Sequence, residues 1–182
     1  QITIPEHADE KEQKPDEFAI LDERFLEKPA FAMELCKNAT IKMAEEAKDA
    51  LELSLENLHI YDGKCVDKII ALEQSVDRYE DALGTYLVKL NNCDLSQNDS
   101  RTLSILLHCI GNFERISDHA VNITDSLTEM KEKDLHFSKK ALEEMEVFSK
   151  ALKDIVEATC TAFVEADLEK ARRIEPFEQV ID

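Results

Sequence analysis

Apolar residues recur every three or four positions along most of the chain, the spacing that is typical of amphipathic α-helices. This pattern predicts helices over about residues 29–60, 63–91, 100–130 and 138–166, with a fifth beginning near Asp167. Predicted segments of ~30 residues far exceed the average helix of about 11–12 residues. We therefore expect an all-α fold, an elongated helical bundle.

Side chains on the predicted inner faces follow this spacing. On the second helix they are Cys65, Ile69, Leu72, Val76, Tyr79, Leu83, Leu87 and Leu90. On the third helix the inner line is Ile105, Cys109, Ile116, Ala120, Ile123 and Leu127, which leaves Leu103, Leu107 and Val121 on an outward apolar side. Gly84 and Gly111 lie within helices, where they are unfavourable, and close packing against a neighbouring helix would explain both.

Residues that favour helix ends are found at the predicted boundaries. They are Pro29 in the first turn of the first helix, Asp62-Gly63 after its end, Asn98 or Ser100 as the cap of the third, Ser138 as the cap of the fourth, and Pro176, which would kink or restart the fifth.

Composition narrows the range of partners. Forty acidic against 22 basic residues give a formal net charge of −18, with no basic cluster, which argues against nucleic acid and against an anionic membrane surface. No apolar run approaches the ~18 residues needed to span a bilayer, and no signal peptide is visible. The five cysteines are scattered and odd in number, which indicates reduced cytosolic thiols, with Cys65 and Cys109 as small core residues.

The chain also contains an internal repeat. Shifted by 105 positions, residues 48–77 align with residues 153–182 without a gap. The coincident pairs include Lys48/Lys153, Asp49/Asp154, Glu52/Glu157, Asp62/Asp167, Glu73/Glu178 and Asp77/Asp182. We therefore predict an acidic tether over 1–20, a three-helix unit over 21–130 and a partial second unit over 137–182, which looks truncated before its third helix.

Pairs of acids four residues apart are the candidate functional groups. They are Glu73/Asp77, Glu114/Asp118 and Glu178/Asp182. Each pair shares one helix face, and the first two pairs are predicted to point away from the main core, Glu114 and Asp118 by ~160° from the inner line of their helix. If the second and third helices are neighbours, four carboxylates converge, and their mutual repulsion favours a bound cation.

Oxygen-only ligands suit hard cations such as Mg²⁺, Ca²⁺, Mn²⁺ or iron. His119 and Asn122 are close enough in sequence to assist. Lys68 and Arg115 provide the competing explanation, in which the acids form ordinary ion pairs. Two further alternatives remain open: a metal-independent interaction module with solvated acids, and a di-iron enzyme. The latter needs two inward Glu-x-x-His motifs, whereas Glu56-x-x-His59 occurs once, at a helix end.

The chain resembles the PhoU family of phosphate-transport regulators. FERISDHAVNI, residues 113–123, is similar to that family's E-R-I-G-D-H-A-x-N-I stretch, with Ser117 where Gly is usual. The pairs at Glu73 and at Glu178 match its E/D-x-x-x-D motif, and Asp99-Ser100-Arg101 resembles the D-L-R that opens its third helix. The resemblance covers about residues 30–182 and implies a non-enzymatic tandem three-helix fold.

The same resemblance implies a cellular setting. LDERFLEKPAFAMEL, residues 21–35, is similar to the segment that joins the membrane part of bacterial sodium/phosphate cotransporter-type proteins to their C-terminal PhoU-like domain. It implies a regulatory domain at the cytoplasmic face of the membrane, with the transporter's own membrane domain or a second copy as partner. It also implies metal cations, iron among them, at Glu73, Asp77, Glu114 and Asp118, and a second site that keeps only Glu178 and Asp182.

Overall fold

The computed structural model describes residues 17–181, and between these limits all regular secondary structure is helical. Two short 3₁₀ helices are followed by six α-helices. Their bounds are Glu17–Ile20 and Glu23–Glu27 for the 3₁₀ helices, and Pro29–Asn57 (α1), Gly63–Asn91 (α2), Gln97–Glu132 (α3), Lys139–Val164 (α4), Leu168–Arg172 (α5) and Ile174–Ile181 (α6) for the others. The expected all-α bundle is confirmed. Of the predicted tether, residues 1–16 lie outside the described part.

The helix ends follow the capping chemistry closely, with two differences. The side chain of Asn57 accepts a hydrogen bond from the backbone N–H of Asp62 at 2.7 Å, which closes the turn and ends α1 at Asn57 instead of near residue 60. The N-cap of α3 is Ser96, not Asn98 or Ser100. Its hydroxyl accepts from the Asp99 N–H and donates to the Asp99 carboxylate, a reciprocal arrangement that fixes the start of α3.

The structure also tests the predicted cap of the fourth helix at Ser138 and the predicted effect of Pro176. Ser138 caps α4, because its hydroxyl accepts from the Ala141 N–H at 3.1 Å. The predicted fifth helix is interrupted at Arg173 and becomes α5 and α6. Pro176 lies in the first turn of α6, where its missing N–H leaves no intrahelical bond unmade, so the chain restarts instead of kinking.

The core lies between α1, α2 and α3, with α1 in contact with both other helices and with α4. Small residues dominate the buried positions of α1: Ala32, Cys36, Ala39, Thr40, Ala44, Ala47 and Ala50 are at most 1% exposed. Short side chains allow α2 and α3 to approach the α1 backbone closely, and the larger side chains of those helices fill the space. On α2 the predicted line is buried from Ile69 to Leu90, apart from Leu72, which is half-buried.

The inner face of α3 differs from the predicted one. The buried residues are Leu103, Leu106, Ile110, Phe113, Ser117, Ala120, Thr124 and Leu127. Leu103 is 2% exposed, whereas Ile105 is 54% exposed, so the predicted assignment of both was wrong. Apolar side chains occur both on the predicted line and on the buried line. Only the buried line keeps the alternating spacing of three and four residues along the whole helix. The correction places Glu114 and Asp118 roughly 80–120° from the buried stripe instead of ~160°.

Helix α4 packs against α1 in the opposite direction. Lys48 pairs with Glu157 at 2.8 Å, and Lys153 pairs with Glu56 at 3.0 Å. These two lysines coincide in the 105-residue repeat, so repeat-related side chains make similar ion pairs across this interface. Only Ser149, Cys160 and Ala162 of α4 are buried within the described residues. The division into one full and one partial unit stays a prediction.

Two smaller expectations need correction. A Cβ atom at Gly84 would meet Ile110 Cδ1 at 3.8 Å, an ordinary contact, and one at Gly111 would meet nothing within 4 Å. Close helix packing therefore does not explain Gly111. Cys65 and Cys109 are half-buried beside the core, and the buried thiols are Cys36 and Cys160.

In the region from Glu17 to Ile181, no helix combines the length and hydropathy required to cross a bilayer.

Candidate metal site

The acidic pairs of α2 and α3 meet at the edge where these two antiparallel helices pack. One carboxylate oxygen from each of Glu73, Asp77 and Asp118 lies within 4.8 Å of the others, and none of the three side chains is buried. Oxygen ligands on opposite sides of a bound Ca²⁺ are about 4.6–5.2 Å apart, given metal–oxygen distances of 2.3–2.6 Å. The three carboxylates can therefore surround one cation with small side-chain movements.

This convergence follows from the local sequence of each helix. On α2, buried Ser75 and Val76 separate Glu73 from Asp77. On α3, buried Ser117 separates the two acids, and its hydroxyl donates to the Glu114 carbonyl at 2.8 Å. The acids therefore flank the packed seam and remain accessible from solvent.

Glu114 lies beside the three converging carboxylates. Partial burial raises the pKa of its carboxyl, and the charges of Asp118, Asp77 and Glu80 raise it further. All four carboxylates predicted from the sequence thus belong to one cluster, in which three are arranged around a common point. Glu80 adds a fifth acid that the sequence reasoning missed, although its spacing of seven from Glu73 places it on the same face.

The cluster carries unrelieved negative charge. The pKa of Glu73 is also raised, first by partial burial and then by the charges of Asp77 and Asp118. Among residues 17–181, no lysine or arginine forms an ion pair with any of the four predicted ligands. Lys68 and Arg115, the competing partners, therefore do not neutralise them. His119 and Asn122 are exposed, and His119 is not part of the converging group.

Comparison with known protein families finds a match to a region that extends from α1 to α3. Residues 40–127 match the family model of the PhoU domain. This part of the chain is therefore similar to a PhoU domain. The match extends from α1 to near the end of α3 and includes Glu73, Asp77, Glu114 and Asp118. The PhoU family consists of regulatory, non-enzymatic domains. No curated protein and no solved structure gives a significant match to the chain.

The acids outside the PhoU-like match are placed differently. Glu178 is exposed on α6, and Asp182 lies outside the described residues, so the second site stays a prediction. In the described part of the chain, no second group of three potential ligands converges. The Glu-x-x-His motif of the di-iron alternative is not arranged for metal binding: Glu56 pairs with Lys153, and His59 is exposed beyond the end of α1.

Proposed function

We propose that the PhoU-like domain regulates a sodium-dependent phosphate transporter and binds metal cations at the α2–α3 edge. The observation that carries the proposal is the convergence of Glu73, Asp77 and Asp118 within 4.8 Å, without a lysine or arginine pairing with them among the described residues. The PhoU match to residues 40–127 supports the regulatory role in phosphate homeostasis.

The ligand set determines which cations fit. All candidate donors are carboxylate oxygens, so Mg²⁺, Ca²⁺, Mn²⁺ and iron are favoured over softer metals, which select sulfur or imidazole ligands. Glu73, Asp77 and Asp118 would hold the first cation, and Glu114 would complete its coordination by turning toward it. Glu178 and Asp182 are the candidate ligands of a second cation.

Cation binding would act by changing surface charge. In a chain with a net charge of −18, a divalent or trivalent ion at the α2–α3 edge removes local repulsion and allows a partner surface to approach. The proposed partner is the transporter's own membrane domain, at the cytoplasmic face of the membrane, or a second copy of this chain. The similarity of residues 21–35 to the joining segment of cotransporter-type proteins supports the first partner.

Titration calorimetry with Mn²⁺, Mg²⁺, Ca²⁺ and Fe²⁺ tests the cation site. We expect at least one of these ions to bind the natural protein and to bind Asp77→Asn/Asp118→Asn at least ~10-fold more weakly, because this variant removes one ligand from each helix. The control is Glu45→Gln/Asp49→Asn on α1, an exposed acidic pair four residues apart, whose substitution makes the same change in charge. Equal heats for the natural protein and the site variant would remove the site.

Transporter regulation needs a separate test, made in the natural gene product. Membrane-spanning segments encoded before Gln1 would support it, and we expect Asp77→Asn/Asp118→Asn in that protein to change sodium-dependent phosphate uptake. Unchanged uptake, with normal expression, would contradict the regulatory link. The second candidate, a metal-independent interaction module, predicts the same thermal stability with and without each cation.

A further inference from the structure

The segment Glu17–Glu27, which we call the latch, lies along α2 before the first α-helix begins. The latch and α2 run in the same direction, so later residues of the latch contact later residues of α2. The contacts include the edge-on packing of the Phe18 and Tyr79 rings with centroids 5.0 Å apart, the hydrogen bond from the Tyr86 hydroxyl to the Asp22 carbonyl at 3.0 Å, and the ion pair of Glu23 with Lys89 at 2.5 Å.

The latch is shallowly packed compared with the helices beneath it. No residue of its second 3₁₀ helix is buried, and the apolar side chains of the latch that reach the core are only partly buried: Phe18, Leu21, Phe25 and Leu26. The ion pair to Lys89 is exposed, so it adds little stability. A groove of about 460 Å³ remains between the latch and α2, lined on the α2 side by Asp81, Ala82 and Thr85.

The contrast with α2 is large. Tyr79 and Tyr86 are 2% and 3% exposed, and both belong to the main core cluster. Helices α1, α2 and α3 bury long stripes against one another, whereas the latch is attached from outside. Elements with few buried apolar contacts open locally at lower free energy than the core they cover.

We propose that the latch detaches from α2 and rejoins it while the three-helix core stays folded. The movement would end at Lys28, whose backbone is not helical (φ −127°, ψ 74°), because Pro29 begins α1 immediately after it. Detachment uncovers Tyr79 and Tyr86 on the same helix that carries Glu73 and Asp77. This device does not depend on the proposed cation site.

Hydrogen exchange of the natural protein tests the proposal directly. The backbone N–H groups of Leu21, Phe25 and Lys28 each donate a hydrogen bond to a carbonyl of the latch. We expect them to exchange at least ~10-fold faster than the buried amides of α2, through an opening that leaves α2 protected. Exchange of the latch and α2 amides with the same free energy of opening would overturn the proposal.

A fluorescent label provides an independent measurement, because the chain contains no tryptophan. Phe18→Trp places a single indole against Tyr79. In a urea titration we expect the indole emission to change at a lower midpoint than the far-ultraviolet circular dichroism, which follows the helices. Coincident transitions would mean that the latch and the core unfold together.

Two substitutions on α2 distinguish opening of the latch from opening of the core. Tyr86→Phe removes the hydrogen bond to the Asp22 carbonyl and keeps the ring, so latch exchange should become ~3–10-fold faster with little change in the α2 amides. Val88→Ala is the matched control, since Val88 is 58% exposed on the same helix, and it should change neither. An equal acceleration of latch and core amides by Tyr86→Phe would contradict a separable latch.

Discussion

Replacing Asp118 by asparagine tests the electrostatics of the α2–α3 edge with one substitution. The change keeps the size of the side chain and removes its charge. In the metal-free protein Asp118 lies within 4.8 Å of Glu73 and Asp77, and its charge contributes to the raised pKa values of Glu73 and Glu114. We therefore expect Asp118→Asn to make the metal-free protein more stable.

The size of this effect follows from the distances. Two unit charges 4.8 Å apart repel by roughly 0.9 kcal/mol at the dielectric constant of water. Salt at physiological concentration, with a Debye length of about 8 Å, reduces this by about half. With Glu73, Asp77 and Glu114 as neighbours, the total relief is about 1 kcal/mol, and a protein of this size would gain about 2–4 °C in Tm.

Manganese should reverse the order of stability. At 100 times its Kd, a ligand that binds only the folded state adds about 2.7 kcal/mol, and Asp118→Asn should lose most of this gain. Thermal unfolding in EDTA and in excess Mn²⁺, followed by circular dichroism, would show the crossing. Asp49→Asn, an exposed acid on α1, is the control and should show no crossing. A less stable Asp118→Asn protein in EDTA, or equal stabilisation of both proteins by Mn²⁺, would refute the reasoning.

Three further predictions concern the scaffold. Gly111→Ala should add about 1 kcal/mol to the free energy of unfolding in urea, because its Cβ would meet open space; Gly84→Ala should also stabilise, and a loss at either position would indicate packing that the structure does not show. Ala166 has φ 51° after the end of α4, so Ala166→Gly should raise the stability by about 0.5–1 kcal/mol, measured by thermal unfolding. Burial raises the pKa of Cys36 to about 12 and of Cys160 to about 11. Iodoacetamide at pH 8 should therefore modify these thiols much more slowly in the folded protein than in urea, as measured by mass spectrometry. Equal rates would contradict their burial.

The sequence was sufficient for the helices and for most of their ends. Helix α2 begins at Gly63 and ends at Asn91, as its apolar spacing and the Asp62-Gly63 turn predict. The start of α3 was misplaced because Ser96, Asn98 and Ser100 are all good caps by residue type. Only Ser96 also has an acidic residue three positions later. The backbone N–H of Asp99 donates to the Ser96 hydroxyl, and the Asp99 carboxylate accepts from that hydroxyl, so this spacing was the signal available in the sequence.

The sequence pattern alone could not predict which way the acidic pair of α3 faces. Helix α3 carries two apolar lines, and the choice between them depends on contacts with α1 and α2 that no local pattern contains. The line through Ile105 would place Glu114 and Asp118 almost opposite the core, too far round the helix to meet α2. The line through Leu103, buried in the structure, moves both acids to the flank of the seam. The convergence of the acidic pairs is thus a consequence of how α3 is rotated in the bundle. Spacing alone predicted that each pair shares a face, and the packing of α3 determined that the two faces meet.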